Sequence, residues 1–394
     1  MNRIHFLCTL AVGISAMVPA VHAQDASLKN EVRAAMQKGA AFLKTKQLAS
    51  GAWGDPAVPG TQPALTALAV LSLAADPGRT GSELPPEAKK GIAFLLSVQQ
   101  ADGGIYTEKP LANYSTSLAL TTLSLTGGDE KVRQAAIKAR RFLVGLQGNF
   151  DDKGKAETQN AKADSPYDGG IGYTAKSPYS DLSNTHLALE ALYYSKNLFA
   201  DKPDEAKNEP QLDFEAAIKF VSRCQQLKAG NDQAWVSEDA TNKGGFIYRP
   251  GESKADPVKL PDGKEALRAY GSMSYAGLLS FIYAGMDQKD PRITAVKQWL
   301  EKNYSLSENP GMGLQGLYYY YHTMAKTLAV ANLETLDTPD GKKIKWRLEL
   351  TKELFNRQQA DGSWVNENGR WMEKDAVLVT SYAVLTLGHI NKGL

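Results

Sequence analysis

Two hydrophobic patterns alternate along the chain. In one, apolar residues recur every three to four positions, as at Val32, Met36, Ala40 and Leu43, with Lys and Glu on the opposite face. That spacing predicts amphipathic helices with one wet side. In the other, nearly every position is apolar, as in Leu65-Thr66-Ala67-Leu68-Ala69-Val70-Leu71. A soluble helix of that kind must be surrounded by protein. Between the two stands a turn. Lys89 to Val98 reads as an amphipathic helix, Gln99-Gln100 ends it, and Gly103-Gly104 supplies the left-handed backbone of a sharp reversal before the apolar stretch Ser117 to Leu125.

The same unit is written six times. Outer and inner helices are expected at Leu28–Gln47 and Pro63–Ala75, Pro86–Val98 and Ser115–Leu125, Lys131–Leu146 and Asn184–Tyr194. Three more pairs follow at Phe214–Cys224 and Ser272–Gly285, Pro291–Tyr304 and Tyr318–Leu333, and Lys345–Arg357 and Val377–His389. Gln47, Gln99, Gln147, Gln225 and Gln358 close five of the outer helices, and the fifth copy lacks the glutamine. Helix pairs in series, one member buried and one half-exposed, build an open solenoid or a closed ring. Six pairs of alternating character suit six inner helices inside six outer ones, an all-α fold with no sheet beyond an incidental hairpin. Two polar inserts interrupt the array, at 149–166 and 249–265, and are read as solvated loops or a lid.

A repeat array overrides the two-domain prior set by 394 residues. The first 23 residues look like an export leader. Arg3 is followed by the apolar run Ile4 to Val18 and by Val21-His22-Ala23, a small-x-small cleavage site. The expected organisation is therefore a signal peptide at 1–23 and one domain at 24–394, periplasmic or secreted. Such an apolar run is too short to span a membrane, and no integral membrane segment is expected after its removal. Taking Arg3 from the 45 basic residues leaves 44 against 43 acidic ones. That balance speaks against nucleic acid or an anionic membrane as partner. Cys8 leaves with the leader and Cys224 remains alone, so no internal disulfide forms.

Lys38-Gly39, Phe42, Gln47, Gly51 and Trp53, with Lys90-Gly91, Phe94, Gln99 and Gly103, and with Gln358 and Trp364 near the end, resemble the glutamine-tryptophan repeat of squalene and terpene cyclases. Protein prenyltransferase β subunits share a looser form of it. The resemblance covers essentially the whole chain after residue 23. It implies an (α/α)6 toroid, a closed double ring of six helix hairpins, around a central and largely apolar cavity. Class II cyclases of this kind protonate substrate with an Asp-x-Asp-Asp-Thr motif, and the matching stretch is Asp181-Leu182-Ser183-Asn184-Thr185. The first Asp and the Thr are kept, but Ser183 stands at the acid position, and a serine hydroxyl cannot protonate an alkene. The prenyltransferases hold zinc with Asp, Cys and His. His322 resembles their histidine and no cysteine accompanies it, so neither zinc nor another cofactor is expected.

The starts of the inner helices converge on one mouth of such a ring. Asp181, Asn184, His186, Tyr275, His322, Lys326 and Asp375 are the candidate residues there, without an assigned catalytic group. Plainer roles compete with each. Asp181, Ser183 and Asn184 suit helix N-caps, and a histidine on an inner helix is more often a hydrogen-bonded core residue. Of the run Tyr318 to Tyr321, one or two rings must face the cavity, because four successive residues point all round a helix. Trp53, Trp235, Trp364 and Trp371 read as packing. The leading expectation is an exported toroid that binds an apolar or isoprenoid-like small molecule, with turnover in doubt. A polysaccharide lyase or hydrolase using His322 or a tyrosine as base, or an Asp181/Asp375 pair, and a non-catalytic scaffold for another protein, are the alternatives. Aliphatic walls favour the first, a wet cleft with paired carboxylates the second, and a plugged ring the third.

Overall fold

The computed structural model describes residues 17–79, 81–148 and 165–394, with side chains from residue 26 onward. Thirteen α-helices lie among them: α1 (Met17–Thr45), α2 (Gln62–Ala74), α3 (Pro86–Ser97), α4 (Ala112–Thr126), α5 (Glu130–Gly145), α6 (Leu182–Tyr194), α7 (Pro203–Lys207), α8 (Phe214–Arg223), α9 (Gly271–Tyr283), α10 (Pro291–Lys302), α11 (Leu317–Val330), α12 (Trp346–Arg357) and α13 (Ala376–Asn391). The leader expected at 1–23 lies largely outside the described residues, and its last part is continuous with α1. Most of the 149–166 insert lies outside them too. Two short antiparallel hairpins, where one was expected, join Val258–Lys259 to Glu265–Ala266 and Leu336–Asp337 to Lys343–Ile344. Both sit in polar connections and leave the all-α character unchanged. Among the described residues no helix is long and apolar enough to cross a membrane.

The helices without a polar face are the inner ones. α2, α4, α6, α9, α11 and α13 bury nearly every residue, from Pro63 to Leu73 in the first and from Val377 to Leu387 in the last. They pack in cyclic order, each on the next, and α13 returns to α2. The amphipathic helices lie outside them: α1 rests on α13 and α2, α3 on α2, α5 on α4 and α6, α8 and α10 on α9, and α12 on α13.

One side chain explains why the glutamine recurs. Gln99 Nε2 donates to Gly103 O in its own turn at 3.0 Å and to Ala135 O on the next outer helix at 2.8 Å. Gln47 does the same to Gly51 and Glu87, Gln147 to Gly169 and Asp213, and Gln225 to Gly244 and Arg292. Gln358 completes the circuit, donating to Gly362 O and, 323 positions away in the chain, to Ala35 O of α1, both at 3.0 Å. The first bond gives the turn carbonyl a partner, and the second adds a side-chain donor to a carbonyl of the next outer helix or its N-cap. In the fifth copy Tyr304 occupies the glutamine's place. Its hydroxyl donates to Glu349 on α12 at 3.3 Å, so the link between neighbouring outer helices persists with different chemistry.

The glycines are equally fixed. Gly103 has φ +91°, and a Cβ there would stand 2.7 Å from Lys138 O on the adjacent helix; at Gly362 (φ +87°) it would stand 2.6 Å from Lys38 O. The Lys-Gly pairs of the outer helices make room for tryptophan. A Cβ on Gly91 would meet the Trp53 ring at 2.9 Å, and one on Gly39 the Trp364 ring at 3.0 Å. Both rings are fully buried, and their indole N–H groups donate to Leu43 O and Leu354 O. Replacing Gln99 or Gln358 by Ala strands the turn carbonyl of Gly103 or Gly362 and is expected to cost about 1–3 kcal/mol. Urea midpoints measure it, and unchanged midpoints in both variants would remove the joint role.

Candidate functional site

A second repeated bond sets the rotation of the inner helices. The turn amides of Trp53, Ile105, Ile171, Phe246 and Trp364 donate to Thr66, Thr116, Thr185, Ser274 and Thr380 at 2.9–3.0 Å. The threonine of Asp181-Leu182-Ser183-Asn184-Thr185 therefore has a structural use common to five copies. In α11 the place falls to Tyr321, whose hydroxyl donates outward to Leu306 O. Each hydroxyl points out toward its turn, so the opposite face points to the axis. At about 100° per residue that face carries the positions two before the hydroxyl and two, five and nine after it.

Two contacts that skip a helix bear this out. Tyr114 on α4 and Tyr382 on α13 bring their hydroxyls to 3.2 Å across α2. Lys326 on α11 reaches over α9 to both carboxylate oxygens of Glu190 on α6, at 2.8 Å each. Otherwise the inward face is mainly aliphatic: Ala64, Leu68 and Leu71 on α2, Leu118 and Leu125 on α4, Leu187 on α6, Ala276 and Leu279 on α9, Val330 on α11, and Leu378 and Leu385 on α13. Polar groups interrupt it at Ser183, Ser272, Thr121, Thr323 and His389, and tyrosines stand at both ends, Tyr114, Tyr319 and Tyr382 at the helix starts and Tyr194 and Tyr283 at the other. Tyr319 stacks edge-on with Tyr382 at 6.0 Å and is the member of the four-tyrosine run on this face. The other three pack outward, with Tyr320 donating to Ser305 O.

At the mouth, Asp181 is fully buried as the N-cap of α6. Its Oδ1 accepts from Asn184 N at 2.9 Å and Ser183 Oγ at 2.6 Å, and Oδ2 accepts from Asn184 Nδ2 at 2.8 Å. Burial pushes its carboxyl above the usual range, against hydrogen bonds from Ser183, Asn184 and Tyr248 that hold it down. Asn184 thus serves Asp181, and its own Oδ1 has no hydrogen-bond partner. The 249–265 insert hangs beside this end, with Arg249 stacked 3.6 Å over Tyr179 and Lys254 4.5 Å over Tyr248. Asp375 is also an N-cap, its Oδ1 taken by Val377 N and Leu378 N.

Deeper in, His186 lies one turn before Glu190 and His322 one turn before Lys326. Both are buried with Nδ1 unpartnered. His322 stacks on Tyr382 at 5.5 Å and lies 5.9 Å from His389. Burial, and then the Lys326 charge, push His186 down to about 3 and His322 well below the ordinary value; His389 is likewise at about 3. All three are neutral imidazoles at pH 7. Tyr275 does not belong here. Its ring packs against Tyr320 on α11 at 5.7 Å. Glu190, Tyr114 and His389 join the site without having been singled out. For Glu190 a signal existed: it and Lys326 are the acid and the base that the six inner helices contain.

A groove of about 490 Å³ opens elsewhere, between α8 and α10, lined by Lys219, Arg223, Lys228 and Arg292 among others. Its arginines are already paired, with Asp232 and Asp290. That groove lies apart from the buried Lys326–Glu190 pair.

No family model matches the sequence, and no curated protein matches it. Solved structures do. A tyrosine-to-phenylalanine variant of the type II terpene cyclase MstE from Scytonema, in the apo form, aligns with a TM-score of 0.51. Two aspartate variants of the same cyclase, with merosterolic acid A (product) and with geranylgeranyl dihydroxybenzoate (substrate), align at 0.50. Each is 13% identical, over 93% of this chain and 99% of that one. The chain has a terpene-cyclase-like, all-α fold.

Two outcomes follow from the buried groups. Because the unfolded chain takes up protons near pH 6.5 that His186 in the folded state refuses until about pH 3, stability present above 6.5 is lost as pH falls through that interval. The limit is about 1.4 kcal/mol per pH unit for each such histidine. Melting temperatures from pH 7 to 4 are expected to fall less steeply in His186→Gln than in wild type; equal slopes would mean that His186 already ionises in the fold. Asp181→Asn is expected to unfold within about 0.5 kcal/mol of wild type at pH 7. Asn caps nearly as well as Asp, and a flip of the Asn184 amide offers its free oxygen to the new N–H group. A loss several times larger in urea would show that the charge itself is needed.

Proposed function

We propose that the chain is an exported (α/α)6 toroid whose lumen binds an apolar, isoprenoid-like molecule, and that it does not carry out proton-initiated cyclisation. The observation that carries this reading is the inward face, where Leu68, Leu71, Leu118, Leu187, Leu279, Leu378 and Leu385 recur at equivalent positions of the ring. An aliphatic lining with few polar groups is the usual make-up of a pocket for such ligands. The solved relatives in fold support the class of ligand, since the cyclase MstE is described with an isoprenoid substrate bound. Against turnover stands Ser183, which lies in the acid's place and donates to Asp181. Asp181 is the cap of a helix, enclosed by its own donors.

The polysaccharide reading loses its carboxylate pair, because Asp181 and Asp375 each serve a helix start. A scaffold role has one observation of its own. Leu314, Trp371 and Met372 are exposed apolar side chains on neighbouring loops, and Trp371 and Met372 both take left-handed backbone. Export, the domain span 24–394 and the cavity are tested together by purifying the protein from the periplasm or medium and recording its native mass before and after organic extraction. The expected result is a chain beginning near Gln24 that carries an extractable apolar molecule. A clean apo mass would favour the scaffold, and a co-purified sugar the polysaccharide enzyme.

A further inference from the structure

The mechanism suggested by an apolar lumen gives no work to the ion pair that crosses it. Lys326 and Glu190 hold equivalent positions on α11 and α6, five residues past the outward hydroxyl of each. They meet over α9 in a ring otherwise lined there by Leu71, Thr121, Leu279 and Leu385. Replacing such a pair with aliphatic side chains is often neutral or stabilising, so its presence is weak evidence for stability alone. The pair also has capacity left over. Two of three ammonium protons go to the two Glu190 oxygens, which leaves one donor; the carboxylate keeps further lone pairs. One turn nearer the mouth, the buried His186 and His322 each present an unpartnered Nδ1. The side chains of the pair are 8% and 7% exposed.

The net charge of the pair decides what fits. Glu190 cancels Lys326, and the neighbouring imidazoles are neutral. A diphosphate or carboxylate brought here would meet Glu190 with no uncompensated cation to hold it. A hydrocarbon would leave the spare donor and acceptors unsatisfied. A hydroxyl both donates and accepts without adding charge. Resting on the reading of the lumen as an apolar site, we propose that Lys326 and Glu190, flanked by His186 and His322, form a recognition site for an uncharged hydroxyl group on an otherwise apolar ligand. The hydroxyl accepts from the remaining Lys326 proton and donates to a Glu190 oxygen. The protein thereby selects isoprenoid-type alcohols over their diphosphates and over plain hydrocarbons.

The test measures binding of farnesol, farnesyl diphosphate and squalene to the full exported chain, in wild type and in the double variant Lys326→Met/Glu190→Leu. Changing both partners leaves no lone buried charge, and its melting temperature reports folding independently. His186→Leu is the second variant, with His186→Asn as the conservative control. Wild type is expected to bind farnesol at least tenfold more tightly than the diphosphate. The double variant is expected to lose at least tenfold for farnesol and nothing for squalene, and His186→Leu to lose more than His186→Asn. Equal farnesol affinity in wild type and double variant, or tighter binding of the diphosphate, overturns the hydroxyl site while leaving the apolar lumen standing. Failure of all three probes to bind folded wild type removes the lumen reading and the hydroxyl site with it.

Discussion

The structure depends on one joint, repeated. A glutamine at the end of an outer helix donates to two carbonyls, one in its own turn and one on the next outer helix, so each repeat is locked to its neighbour by a single side chain. Gln358 applies the same bond to Ala35 and thereby ties the last repeat to the first. Glycine in left-handed backbone lets the turn approach the neighbouring helix closely enough for that bond. The tryptophans then fill the space left by the glycines of the Lys-Gly pairs. Because the joints are backbone-directed, the outer helices tolerate varied surfaces, and the fifth repeat tolerates Tyr304 in place of the glutamine.

Positioning of the inner helices follows from the same turns. The amide two residues after the turn glycine, in Trp53, Ile105, Ile171 and Trp364, is held by a Thr hydroxyl, and Ser274 holds Phe246 in the same way. That bond fixes which side chains face the axis, and here they are leucines, a few tyrosines and one cross-lumen ion pair. A charged pair survives in such surroundings only when the two groups meet with good geometry, as Lys326 and Glu190 do.

Much of this architecture is legible in the sequence because it is periodic. Amphipathic and wholly apolar stretches alternate, and Gln47, Gln99, Gln147, Gln225 and Gln358 mark the joints before any coordinate is known. The joints' partners are less legible, since Glu87, Ala135 and Arg292 contribute only carbonyls, which any residue type would supply. Site residues are harder still. Asp181 and Asp375 cap helix starts as their residue type suggests, and Asn184 serves Asp181 while its own Oδ1 stays unpartnered. Tyr275, expected at the mouth from its place near a helix start, packs against Tyr320 on α11, a contact no local pattern announces. Glu190 escaped notice because it lies mid-helix, far from the starts, and its meaning comes from Lys326, 136 positions away. Glu373 is similar: it caps α11 from another loop, accepting from Tyr319 N at 2.8 Å, a role that no local pattern announces.

The central claim is that the lumen is an apolar binding space. Titration of an environment-sensitive apolar dye such as N-phenyl-1-naphthylamine, into wild type and into Leu118→Trp, tests it most directly. Leu118 stands four residues past Tyr114 on the inward face of α4, so an indole there fills the lumen. One saturable site per chain in wild type, abolished by the indole in a variant that still melts cooperatively, is the predicted result. Absence of a saturable site in wild type, or binding unchanged by Leu118→Trp, would contradict the account.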